Sequence, residues 1–163
     1  MTDVEARYLS EPGPVGLFTR LTRVALLVDA FQHRCLDPFD LRFIDYSVVR
    51  LLQLAGPPHQ MSPTELSEIV LRSSGGMTQI LDRLEKLGLV RRSPDPTDRR
   101  KVLVGLTPVG LRTAERVNES YLEARERLLS PLSGVELEQL DGAIHRLLEV
   151  LSADETARTG ARG

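Results

Sequence analysis

The apolar positions of this chain fall into long stripes of helical period, interrupted once by two short runs of strand character. From Pro14 to about Leu36, Leu17, Leu21, Val24, Val28, Phe31 and Cys35 alternate steps of four and three, the spacing of one seam along a helix. Asp37 and Pro38 break that segment. A second helix is predicted from Asp40 to about Ala55, carrying Phe43, Val48, Leu51, Leu52 and Leu54, and "GPPHQ" stops it. "SPTE" at 62–65 puts Ser62 at the N-cap, Pro63 at the first helical position and Glu65 three residues on, a capping box that opens a short helix to about Val70. A further helix is predicted from Gly75 to Leu87, closing on Gly88 as a left-handed C-terminal cap. Strands are predicted at 89–93 and 101–106, joined by a loop reading "DPTDRRK" at 95–101.

Thr107 and Pro108 repeat the cap-then-proline start. The helix they open carries Ala114, Val117, Tyr121, Ala124 and Leu128 at steps of three and four. Ser133 with Glu136 makes a second capping box, followed by Leu137, Leu140, Ile144, Leu147 and Leu151. The tail from 153 to 163 lacks an apolar stripe and is expected to be disordered.

Two short helices joined by a tight turn and followed by a hairpin are the plan of a winged helix-turn-helix. The predicted fold is therefore mainly α with a small β-hairpin wing. Residues 1–39 supply the N-terminal helix of a dimerisation region, 40–107 the winged lobe (recognition helix about 74–87, wing about 89–106), and 108–152 the C-terminal dimerisation helices. Packing within one chain rarely needs three heptad-like stripes, so a homodimer is expected.

Composition changes little in that picture and charge changes more. Hydrophobic residues make up 41% and charged residues 27% of the 163, the profile of a soluble globular protein. No apolar run approaches the ~18 to 20 residues of a membrane span, and the acidic, polar N-terminus does not look like a secretory signal. A single cysteine excludes an internal disulfide and fits a reducing compartment, so a cytoplasmic protein is expected. The net charge of −2 argues against a nucleic-acid partner until its distribution is read. Ser73 to Lys101 holds seven Lys or Arg against four acids, or +3, whereas Leu128 to Glu155 holds one Arg against six acids, or −5. A basic patch on an acidic body suits duplex DNA.

In the helix predicted at 75–87, Met77, Ile80, Leu81, Leu84 and Leu87 form an inner face, and Thr78, Gln79, Asp82, Arg83 and Lys86 fall outside it. Gln79 has the groups to pair bidentately with adenine, Arg83 with guanine or a phosphate, and Thr78 with a base edge or a thymine methyl. Ser73, Ser74 and the amides of Gly75 and Gly76 stand at the helix start, where backbone donors and the dipole suit a phosphate. Two glycines there lower helix propensity by about 1 kcal/mol each, which close backbone approach would justify. In the loop, Pro94, Asp95 and Pro96 stiffen the chain, Asp98 pairs locally with an arginine, and Arg99, Arg100 and Lys101 supply positive charge. An arginine at a hairpin tip is favoured in a narrow, negative minor groove.

Residues 62–110, and above all "LDRLEKLGLVRR", "DPTDRR" and "VLVGLTPVG", resemble the MarR family of bacterial transcriptional regulators, and the flanking helices match in order and length. The resemblance implies a homodimer on a pseudo-palindromic operator, with "SSGGMTQILDR" as recognition helix, and a repressor or other regulator is expected. It also implies a wing Asp–Arg pair made by Asp98 with Arg99 or Arg100, the other arginine entering the minor groove. The residue after Thr78 is often basic in the family and is Gln79 here, which shifts the expected base preference.

Many members of the family sense a small effector in a cleft between dimer helices and winged lobe. His33, Arg42 and Tyr46, with Asp45 nearby, are the candidates for such a cleft, and an ordinary surface is the competing assignment. Other members sense oxidants through cysteine. Cys35 lies on an apolar seam, where a buried structural thiol is the first expectation and a redox sensor the second. His33, His59 and His145 show no ligand spacing, so no metal and no cofactor are expected. No Ser/His/Asp set, phosphate loop or paired carboxylate in an apolar setting marks an enzyme. A winged-helix interaction module without DNA binding is the alternative from another class.

Overall fold

The computed structural model describes residues 2–98 and 100–160. Helix α1 (Asp3–Ser10) was not evident in the acidic N-terminus; Thr2 caps it by accepting a hydrogen bond from the Glu5 amide at 3.2 Å. Helix α2 (Gly13–Leu36) turns back along it. Arg20 donates to the carbonyls of Leu9 (3.0 Å) and Glu11 (3.1 Å), satisfying acceptors that the end of α1 leaves open. Gly16 is required at this corner, because a Cβ there would lie 1.6 Å from the Glu11 carbonyl oxygen.

A 3-10 turn at Asp37–Phe39 and a left-handed Asp40 (φ 52°) delay helix α3 to Phe43–Leu54, three residues later than its apolar pattern predicts. The stop at "GPPHQ" also hides a strand. β1 (Gln60–Met61) pairs antiparallel with β3 (Val102–Leu106), which pairs in turn with β2 (Val90–Pro94), giving a sheet of order β1-β3-β2 rather than a lone hairpin. Gly105 stands opposite both Gln60 and Arg91, and a Cβ on it would press 2.7 Å from Gln60 Cγ.

Helices α4 (Pro63–Ile69) and α5 (Ser74–Lys86) form the helix-turn-helix. The capping box opens α4 as its sequence dictates: Ser62 accepts from the Glu65 amide at 3.2 Å, and the Glu65 carboxylate accepts from the Ser62 amide at 2.8 Å. Met77, Leu81 and Leu84 of α5 are buried with Leu66, Leu52, Val48, Val49, Val90 and Val104, and Ile80 and Leu87 pack partly against that core. Gly88 takes the left-handed conformation (φ 71°) that turns the chain into β2.

Helix α6 (Pro108–Leu129) is capped by Thr107, whose hydroxyl accepts from the Gly110 amide (2.9 Å) and donates to the Gly88 carbonyl (2.7 Å). Its buried face carries Gly110, Ala114, Val117 and Tyr121; Tyr121 meets Tyr46 edge-on at 5.4 Å between ring centroids. The chain divides into two compact units, one reaching to Leu122 and one starting at Glu123. The second contains the end of α6 and helix α7 (Gly134–Gly160), opened by the Ser133–Glu136 capping box.

Helix α7 continues past residue 152 into the tail expected to be disordered. An established helix adds residues cheaply without apolar contacts. Here Arg158 pairs with Asp154 (3.1 Å), and the Thr156 hydroxyl donates to the Ser152 carbonyl (2.9 Å). The terminal seams stay open in the single chain: Leu17, Val24 and Val28 of α2, and Leu140, Ile144 and Leu151 of α7, are all between 43% and 54% exposed. No described helix is long and apolar enough to cross a membrane.

Candidate nucleic-acid interface

Ser73 caps α5 by accepting from the Gly76 amide at 3.2 Å, leaving Ser74 and Gly75 exposed at the first turn. Nothing lies within 4 Å of where a Gly75 Cβ would stand, so packing inside this chain does not demand that glycine. Thr78 and Gln79 are exposed on the face opposite the core. The Thr78 hydroxyl donates back to the Ser74 carbonyl (3.0 Å), which holds its side chain in one rotamer.

Arg83, expected to reach a guanine or a phosphate, is placed differently. Its Nε donates to Asp45 Oδ2 (3.0 Å), and its Nη2 donates to the Asp40 carboxylate (2.9 Å) and carbonyl (2.7 Å). The two carboxylates hold the guanidinium pKa above the ordinary arginine value. Asp45 is fully buried and also accepts from the Arg42 amide at 3.0 Å. One carboxylate thereby joins the start of α3 to the middle of α5.

Strand β2 makes a second attachment. Arg92 donates through Nη2 to Asp82 (2.7 Å) and to the Thr78 carbonyl (3.4 Å), and through Nη1 to Glu85 (2.5 Å). Burial works against the Arg92 charge, but Asp82 and Glu85 outweigh it and raise the guanidinium pKa.

The wing loop is shaped by its acids. Asp95 Oδ1 accepts from the Thr97 amide (2.7 Å), the Thr97 hydroxyl (2.6 Å) and the Asp98 amide (3.2 Å). Donation by Thr97 holds the Asp95 carboxyl below its usual range. The Asp95 amide donates to the Lys101 carbonyl (2.9 Å), and the Lys101 amide to the Asp98 carbonyl (2.8 Å), closing the loop. Asp98 accepts from the Arg100 amide (3.1 Å), from Arg100 Nε (3.1 Å) and from Nη2 (3.4 Å). Arg100 is therefore the local partner of Asp98, while Arg99 lies outside the described residues. Lys101 is exposed.

The three residues expected to share a cleft differ in burial. Tyr46 is buried, and its hydroxyl donates to Asn118 at 2.7 Å. Arg42, the N-cap residue of α3, is exposed. His33 is exposed on α2, 3.7 Å from Asp29 of its own helix. Cys35 is partly buried against the core.

Residues 39–101 match the family model described as the MarR family. The chain is 31% identical over 134 residues to the HTH-type transcriptional regulator PecS of Dickeya dadantii, covering 82% of this chain and 81% of PecS. The chain belongs to the MarR family of winged-helix transcriptional regulators. Among solved MarR-family structures, AbsC of Streptomyces coelicolor superposes with TM-score 0.74 at 26% identity, covering 94% of this chain and 97% of AbsC. A mutant MarR from E.coli complexed with operator DNA superposes with TM-score 0.70 at 26% identity, covering 84% and 99%.

Sequence reasoning had missed the tethers around this family's helix-turn-helix. Asp45 and Arg83 are 38 positions apart and share no local pattern. Arg92 lies within ten residues of Asp82, but only the left-handed turn at Gly88 brings the strand back beside the helix.

Proposed function

We propose that this MarR-family chain binds duplex DNA as a homodimer, with α5 in the major groove and the 95–101 loop in the adjacent minor groove. The observation that carries it is the exposed face of α5: Ser74, Gly75, Thr78 and Gln79 lie together, in a lobe whose hairpin ends in an arginine-bearing loop of fixed shape. The similarity to a MarR solved in complex with operator DNA supports the DNA-binding part of this reading. Ser73, Ser74 and Gly75 take a phosphate at the helix start, and Thr78 and Gln79 read base edges. Arg83, held by Asp40 and Asp45, anchors the helix about one turn beyond those contacts. Arg100 is engaged by Asp98, so Arg99 is the arginine assigned to the minor groove, with Lys101 on the backbone. The open seams of α2 and α7 are assigned to the second copy, and repression is the regulatory outcome assigned to operator occupancy.

Selection of genomic fragments by the purified protein tests this. Enrichment of inverted half-sites about one helical turn apart (~10 base pairs) is expected near promoters. Recovery of unenriched DNA, or of single half-sites only, contradicts the dimeric DNA-binding role.

A further inference from the structure

Asp82 and Glu85 put two carboxylates on the helix proposed to enter a field of phosphates, and the contacts assigned above give neither a purpose. Both are bound to Arg92, whose side chain is 28% exposed. Positions 78, 82 and 85 lie along one side of α5, so a single guanidinium holds three points spanning two helical turns. The Arg92 amide also donates to Glu85 at 3.2 Å, which fixes the strand backbone as well as its side chain. At the base of the same joint, Thr107 grips the Gly88 carbonyl at 2.7 Å. Two fixed points, at Gly88 and at Arg92, define an angle where one alone leaves a pivot.

We propose that Arg92 is a positioning residue that staples the recognition helix to the wing through Asp82 and Glu85, so that the two reading elements meet the duplex in fixed register. The acids are the helix side of the staple. Their repulsion of phosphate is offset by the arginine they bind, and they cannot be removed without loosening the wing. Arginine suits the role because its planar fork serves several acceptors at once, which an ammonium does not. The inference rests on the DNA-binding role proposed above.

The test exploits a difference of sign. The Asp82→Asn/Glu85→Gln protein gains two units of positive charge, so simple electrostatics or a direct Arg92–phosphate contact predicts tighter DNA binding. A staple predicts weaker binding, by at least about fivefold, on a duplex that the wild-type protein has selected from random sequence. Arg92→Met should weaken binding similarly, and Arg92→Lys, which keeps the charge but loses the fork, should fall between. Unchanged or tighter binding by the double variant overturns the proposal. The single variants Asp82→Asn and Glu85→Gln each remove one anchor and carry the same expected sign if the pair together fails to fold. In the free protein, amide exchange over 78–86 should rise at least about fivefold in the double variant and in Arg92→Met. Unchanged exchange also overturns the staple. If wild-type protein selects no duplex, the DNA-binding role fails while the exchange measurement still decides whether the staple exists.

Discussion

Arg83 and Arg100 each sit where a sequence places a DNA contact, and each is instead held by a carboxylate of its own chain. The two cases differ in energy. Arg100 is 91% exposed, so its pairing with Asp98 shapes a loop and adds little stability. Asp45 is 1% exposed, and Arg83 is the cation that balances it. Removing one partner of a buried pair costs ~3–5 kcal/mol; partial exposure of Arg83 reduces the expectation for Arg83→Ala to about 2–4 kcal/mol, read as a lower urea midpoint. A midpoint unchanged from wild type contradicts the anchor role. The Asp98 pairing was legible because its partner is two residues away. The Asp45 pairing was not, because its partner is reached only through the tertiary fold.

At the scale of elements, caps were legible and irregular joints were not. Ser62, Thr107 and Ser133 all bond as their spacing requires. The bonds from Ser62 to Glu65, and from Ser133 to Glu136, hold both carboxyls below their usual range. Groups with lowered folded pKa stabilise the protein above the unfolded value, here 4.5, and that contribution is lost as pH falls through the folded value. Glu65→Gln/Glu136→Gln should therefore melt below wild type at about pH 7, with the gap closing as pH falls below 4.5. A constant gap would place the effect elsewhere. The turn after α4 shows the opposite case. The Arg72 amide bonds the Ser67 carbonyl (2.9 Å) and the Leu71 amide the Glu68 carbonyl (3.3 Å), a Schellman ending with Leu71 left-handed (φ 53°) and 86% exposed. Glycine normally fills that position, and a left-handed leucine costs roughly 1–2 kcal/mol. Leu71→Gly should raise stability by about 1 kcal/mol in denaturant titration; a loss would show that the leucine makes a stabilising contact. Strand β1 escaped sequence reasoning because two residues carry no period, and α1 because its stability comes from Arg20 and Arg23 of α2.

For the whole molecule, the sequence carried the order of helices, the wing and the apolar seams, because those depend on periodicity and on short-range caps. It did not carry which charges face inward, since a charged residue reads alike whether it meets solvent, a carboxylate or a phosphate. That distinction bears on how a chain of net charge −2 is proposed to hold DNA: Arg83, Arg92 and Arg100 pair with carboxylates of their own lobe, while Ser74, Gly75, Gln79 and Lys101 are exposed. Equilibrium titration of a selected duplex across a series of salt concentrations tests this most directly. Wild-type affinity should fall linearly on a log–log scale with a steep slope, and Arg99→Ala/Arg100→Ala should bind at least about tenfold more weakly with a shallower slope. A flat salt dependence, or wild-type affinity in the double variant, would contradict the DNA-binding account.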